Sequence, residues 1–101
     1  MARVLVIDDD PSIVELLKLF LKLAGHEVSS AHQADEGLRV AARERPELIT
    51  LDYHMPGGGG AALYRKLREL IPNAAVIFIT GMGRDITERK RAEQRIQHLA
   101  T

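Results

Sequence analysis

A chain of 101 residues with 14 basic and 14 acidic side chains has room for one small core, and its neutral balance argues against a nucleic-acid binder working by bulk charge. With no cysteine, disulfide, thiolate-metal and thiol-redox schemes are excluded, and with two Tyr, two Phe and no Trp the core has to be aliphatic. No apolar run approaches the length of a bilayer span, and Met1-Ala2-Arg3 leads into a strand rather than a leader, so no membrane is expected and a cytoplasmic setting is.

The first element is the continuous apolar strand Arg3–Ile7, closed by Asp8-Asp9-Asp10. Asp10-Pro11-Ser12 opens a helix with proline at its first position, and Ile13, Leu16, Leu17, Phe20, Leu21 and Leu23 keep a helical period up to the stop at Gly25. His26–Ala31 is a short, more polar strand, suited to a sheet edge. A second helix is predicted from about Asp35 to Arg45, with Leu38, Val40, Ala41 and Ala42 as its apolar face and Pro46 as its end. Leu48-Ile49-Thr50-Leu51-Asp52 is a strand buried on both faces that stops at a carboxylate, and Pro56 with Gly57–Gly60 reads as a flexible loop. A third helix follows over Ala61–Ile71, turned inward by Leu63, Leu67, Leu70 and Ile71, and then the apolar strand Ala75–Thr80.

Strands alternating with helices predict an α/β fold, a doubly wound parallel sheet of about four strands with helices on both faces. The character changes from Gly81. Residues 1–80 carry 9 basic and 11 acidic side chains, and residues 81–101 carry 5 and 3. Asp85-Ile86-Thr87-Glu88 fits a capping box, and the helix expected beyond it has a thin apolar stripe of Ala92, Ile96 and Leu99 that has to dock or pair to be stable. The expected division is therefore 1–82 and 83–101.

The chemistry collects at one edge of that sheet. Asp8 and Asp9, Asp52 and Thr80 all fall at the carboxyl ends of strands, where open parallel sheets place their sites. Carboxylates gathered there repel one another unless a cation compensates, and such a hard-oxygen set suits Mg²⁺. The glycine run lacks a following Lys-Ser/Thr, which rules out a nucleotide P-loop.

Val4-Leu5-Val6-Ile7-Asp8-Asp9-Asp10-Pro11, Leu51-Asp52-Tyr53-His54-Met55-Pro56 and Ile79-Thr80-Gly81 together resemble the receiver domain of two-component response regulators over residues 1–80. The resemblance implies the CheY-like strand order 2-1-3-4, with Asp52 as the carboxylate that takes a phosphoryl group from a phosphohistidine. It implies Mg²⁺ on Asp9 and Asp52 directly, on Asp8 mainly through water, and on the main-chain carbonyl of His54. Thr80 is implied as the hydroxyl that meets a phosphoryl oxygen, and a sensor histidine kinase or phosphotransfer protein as the partner.

The chain departs from that family after Thr80, where the fifth strand and a phosphate-pairing lysine are missing; the lysines are Lys18, Lys22, Lys66 and Lys90. Gly83–Glu93 instead resembles the end of a PAS domain and its signalling helix, and Ile96–Thr101 the run into a GGDEF cyclase, as in a truncated receiver joined to a linker helix. A homodimer through the uncovered Val76–Thr80 strand and the C-terminal helix is expected, with no nucleic-acid partner. Self-phosphorylation at Asp52 from a phosphohistidine or small phosphodonor is the most chemistry expected, without turnover. Two other readings stand beside it: a phosphorylation-incompetent pseudo-receiver serving as a dimerisation scaffold, and a phosphatase suggested by the loose Asp-x-Asp start of Asp8–Ser12.

Overall fold

The described strands are five residues long, largely apolar over Arg3–Ile7, Leu48–Asp52 and Ala75–Ile79 and more polar over Glu27–Ala31. The structure, a computed structural model, describes residues 1–55 and 59–79. In chain order these are β1 (Arg3–Ile7), α1 (Pro11–Leu23), β2 (Glu27–Ala31), α2 (Ala34–Glu44), β3 (Leu48–Asp52), α3 (Gly59–Leu70) and β4 (Ala75–Ile79). All pairings are parallel and the sheet order is β2-β1-β3-β4, the doubly wound arrangement the sequence predicts. Among the described residues β2 and β4 are the outer strands.

Strand periodicity divides the core in two. Val4 and Val6 of β1 pack with Val14, Leu17 and Leu21 of α1, while Leu5 and Ile7 turn to the other face and join Ile49 and Leu51, Val40 and Ala41 of α2, and Leu63 and Leu67 of α3. Among the described residues, one helix thus covers one face and two cover the other. β1 and β3 are almost wholly buried, as runs apolar on both sides require. β4 is not, although its sequence is equally apolar: Val76 and Phe78 are buried under α3, whereas Ile77 and Ile79, on the α1 side, are only half-buried.

The helix ends follow local chemistry. Asp10 caps α1 by accepting from the Ser12 N–H at 2.9 Å, with Pro11 as first helical residue. At the far end Gly25 takes φ +93°, its N–H donates to Lys22 O, and His26 N–H donates to Leu21 O, which closes a Schellman turn. Arg45 ends α2 in the left-handed region, and the Arg3 guanidinium donates to the Glu44 and Arg45 carbonyls left free there.

Two expectations are corrected. The predicted flexible loop at Gly57–Gly60 is shorter than read, because α3 begins at Gly59, and Gly60 is buried in its first turn. A Cβ on Gly60 would lie 2.9 Å from both the Asp52 carbonyl oxygen and the Tyr53 Cα, so glycine there answers a close approach of helix and strand rather than a need for looseness. The helical period of α1 also overstated its core: Val14, Leu17 and Leu21 face the sheet, whereas Leu16, Phe20 and Leu23 are exposed.

Candidate acidic site at the carboxyl edge of the sheet

β1 and β3 are adjacent and parallel, with Ile7 opposite Leu51 in register, so the residues that follow each strand emerge side by side. Asp8, Asp9 and Asp52 consequently each offer a carboxylate oxygen within 4.8 Å of the others. Asp8 (6% exposed) and Asp52 (9% exposed) are sunk at the sheet edge, and Asp9 is open to solvent. Asp10, the third acid of the run, does not join them, because its side chain is occupied as the cap of α1. Among the described residues no other trio of His, Asp or Glu gathers in this way.

Backbone amides hold the two sunken carboxylates. Asp10 N–H donates to Asp8 Oδ1 at 2.9 Å, and His54 N–H donates to Asp52 Oδ1 at 3.0 Å. The turn after β3 is pinned on both sides, with Tyr53 N–H donating to Ile79 O at 3.2 Å and Gly60 N–H donating to Tyr53 O at 2.9 Å. Met55 is buried in the core and anchors the turn from below. The Tyr53 ring stands edge-on to those of His54 and Phe78, with centroids 5.2 and 5.6 Å away. Gly60 and this aromatic edge support the pocket without belonging to the acidic pattern. In the sequence Gly60 stood only within a glycine run read as a flexible loop, and Tyr53 only as a member of the Leu51–Pro56 motif with no role of its own.

Electrostatically the pocket is short of positive charge. Burial is the main cause that pushes Asp8 up from its usual 3.8 to about 6; the Asp10 amide works against it, and Asp52, Asp9 and Asp10 add repulsion. Asp52 is raised as well, again first by burial, with the His54 amide opposing and the neighbouring Asp9 carboxyl reinforcing it. Three hard oxygen donors that are strained by one another's charge fit a small divalent cation, which would reverse both shifts. His54 lies in the turn beside the trio with its imidazole exposed. Thr80, the fifth residue expected at this edge, lies outside the described residues, as do residues 81–101 and with them the expected C-terminal helix.

Comparison with known proteins gives a consistent result. The response regulator receiver domain family is matched over residues 4–98. The Escherichia coli transcriptional regulatory protein GlrR is 37% identical over 82 residues, a stretch that covers 81% of this chain and 18% of that protein. The chain spans well under half the length of the curated relatives it matches. Among solved structures, a CheY-like receiver domain protein from Methanospirillum hungatei superposes with a TM-score of 0.77 at 30% identity, covering 95% of this chain and 75% of that one. A response regulator from Burkholderia pseudomallei, solved with a phosphorylated aspartic acid, a calcium ion and citrate, superposes with a TM-score of 0.76 at 33% identity over 93% of this chain and 55% of that one.

Proposed function

This chain belongs to the response regulator receiver domain family, and on that premise we propose that it is a phosphorelay receiver whose acidic pocket binds Mg²⁺ and whose Asp52 accepts the phosphoryl group. The observation that carries the reading is the convergence of Asp8, Asp9 and Asp52 at one strand edge, with Asp52 already oriented by the His54 amide. In the transfer, an Asp52 carboxylate oxygen forms a bond to phosphorus as the bond from phosphorus to the donor's imidazole nitrogen breaks, and the electron pair leaves with the imidazole. Asp9 and Asp52 would hold the ion directly, Asp8 mainly through water, and His54 through its main-chain carbonyl. Bound there, Mg²⁺ supplies neutralisation of the charge spread over the transferring oxygens. Thr80 would donate to one of those oxygens. The partner is a sensor histidine kinase or a phosphotransfer protein. Support from outside the chain comes from the Burkholderia relative, which carries phosphate on an aspartic acid and was solved with a divalent cation.

A second reading has an observation of its own. Lys18 and Lys22 lie on α1 and Lys66 on α3, none of them at a strand end, while Lys90 lies outside the described residues. A pocket without a phosphate-pairing lysine would suit a pseudo-receiver that binds the cation and works as a scaffold. Incubation with acetyl phosphate and Mg²⁺, read by intact mass, separates the two. One added phosphoryl group that disappears in Asp52→Asn supports the phosphoacceptor; an unchanged mass at millimolar donor leaves the scaffold.

Residues 83–101 would form a signalling helix of the PAS-to-GGDEF linker type after a receiver core of residues 1–82 that lacks a fifth strand. Homodimerisation through β4 and that helix is tested by sedimentation at micromolar concentration, where a monomer would refute it. No described helix is long and apolar enough to cross a membrane. The expectation of no nucleic-acid partner rests on this chain's neutral charge and gains no support from GlrR, which is named a transcriptional regulatory protein.

A further inference from the structure

We infer that the free edge of β2 is an interface between two copies of this chain, which pair antiparallel about a two-fold axis through Ser29 and continue the sheet across it. The backbone of β2 alternates. Glu27 N–H donates to Ala2 O and Asp8 N–H donates to Ala31 O, so Glu27, Ser29 and Ala31 turn their peptide groups toward β1. Val28 and Ser30 turn theirs outward, where no described strand meets them. Beyond these two the edge is closed, because His26 N–H donates to Leu21 O at 3.1 Å and His32 N–H donates to a Glu36 carboxylate oxygen at 2.9 Å. No proline, lysine or bulge blunts the strand, and its register with β1 is unbroken.

One two-fold register satisfies every outward group. With Ser29 opposite Ser29 of the second copy, Val28 and Ser30 exchange N–H and C=O bonds in both directions. Centring the axis on Ser30 would set Val28 against His32, and centring it on Val28 would set Ser30 against His26, and the N–H groups of both histidines are already engaged. The axis through Ser29 stands perpendicular to the sheet, so α1 meets its mate on one face and α2 meets its mate on the other. Both helices lie across β1 and β2. With strands about 4.8 Å apart, axes that run between β1 and β2 come about 10 Å from their mates, an ordinary distance for packed helices.

The charges on the facing flanks say that the occupant is a second copy. Gly37, Val40 and Ala41 of α2 are buried against the sheet, and Leu38 and Ala42 line a groove with Lys66 and Leu70 of α3. At 100° per residue the other flank, turned to the free edge of β2, carries Glu36 and Arg43, two turns apart. On α1, Val14, Leu17 and Leu21 face the sheet, and the right-handed crossover turns Glu15, Lys18 and Lys22 toward the same edge. Each helix is acidic at the start of this flank and basic at its end. Antiparallel mates therefore bring Glu36 to Arg43 and Glu15 to Lys22, each pair twice over, so both layers are self-complementary about the axis that the strand selects. Exposed pairs of this kind fix orientation more than affinity, which the strand bonds supply. An extended peptide on β2 would leave both charged flanks without counterparts. The contact lies at the opposite edge of the sheet from β4, so the two dimer proposals stand or fall separately.

The chain has no cysteine, so an introduced thiol reports on one position alone. Across the axis the two Ser29 Cα atoms form a non-hydrogen-bonded pair about 4.5 Å apart, within the span of a disulfide, whereas the two Ser30 Cα atoms lie roughly 8 Å apart, beyond it. Full-length Ser29→Cys and Ser30→Cys are oxidised with diamide at equal micromolar concentration, with circular dichroism confirming both folds, and dimer is read by non-reducing electrophoresis. Linkage at least tenfold faster for Ser29→Cys is expected; equal rates, or faster linkage of Ser30→Cys, overturn the inference. Adding Val28→Pro to Ser29→Cys removes an outward N–H at a position where an outer strand tolerates proline. It should slow linkage to the Ser30→Cys rate, and an unchanged rate would likewise overturn the pairing. Neither readout depends on cation or phosphate at Asp52, so failure here and failure of the phosphoacceptor are distinguishable.

Discussion

Replacing Asp8 with asparagine should stabilise the cation-free protein at neutral pH and leave it unchanged at pH 4. Asp8 is 6% exposed and faces Asp9 and Asp52, and its carboxyl is raised from 3.8 to about 6. The folded protein therefore keeps a proton that the unfolded chain releases, and stability falls as pH rises from about 4 to 6, with the penalty present in full above that window. At about 1.4 kcal/mol per tenfold change in proton affinity, the raised value sets a ceiling near 3 kcal/mol. Solvent at the mouth of the pocket screens the charges, which lowers the expectation to about 1–2 kcal/mol. The substituted amide keeps an oxygen that can accept from the Asp10 N–H, so the turn into α1 survives. In a domain of this size each kcal/mol moves Tm by about 4–8 °C. Urea and thermal melts in EDTA at pH 4 and pH 7.5 read the difference directly. A variant no more stable than the parent at pH 7.5, or destabilised equally at both, would refute the electrostatic argument.

Other substitutions separate the parts of the fold. Asp10→Ala should cost about 0.5–2 kcal/mol through the lost cap of α1 while leaving the response to Mg²⁺ intact, since Asp10 stands outside the trio; a lost response in a cation titration would contradict that division. Gly60→Ala should destabilise by about 1–3 kcal/mol and weaken cation binding, because the added carbon meets the backbone of Asp52 and Tyr53; an unaffected melting curve would show that the contact yields freely. Thr50→Val removes a buried hydroxyl with no partner among the described residues and should stabilise by about 1 kcal/mol in a urea melt, a loss of stability being the contrary result. Leu51→Ala, at the centre of the larger core, should cost about 2–5 kcal/mol, checked in the same melt, where a smaller loss would mean the site collapses readily.

Much of this architecture could be read from the residues. The runs Arg3–Ile7 and Leu48–Asp52 are apolar on consecutive positions, which only a strand covered on both faces tolerates, and both lead into acids. Placing them side by side was enough to bring Asp8 and Asp9 to Asp52. Periodicity could not say which apolar residues of α1 meet the sheet, because Leu16, Phe20 and Leu23 share the spacing of Leu17 and Leu21, and only the way α1 sits on β1 and β2 distinguishes them. The same limit applies to Ile77 and Ile79 of β4. Four glycines in a row read as a loop by propensity, but tertiary packing overrode it at Gly59 and Gly60, where the approach of α3 to β3 leaves no room for a side chain on Gly60. The division of labour among Asp8, Asp9 and Asp10 was also local geometry: one backbone step turns the third carboxylate from the pocket to the helix end.

The central claim is that three carboxylates from two neighbouring strands make one cation pocket. An amide-resolved NMR titration with Mg²⁺ at pH 7.5 tests it most directly. Shifts concentrated on residues 8–10 and 52–55, saturating together and abolished in Asp9→Asn, are the predicted outcome; changes scattered over the acidic surface, or none at millimolar ion, contradict it.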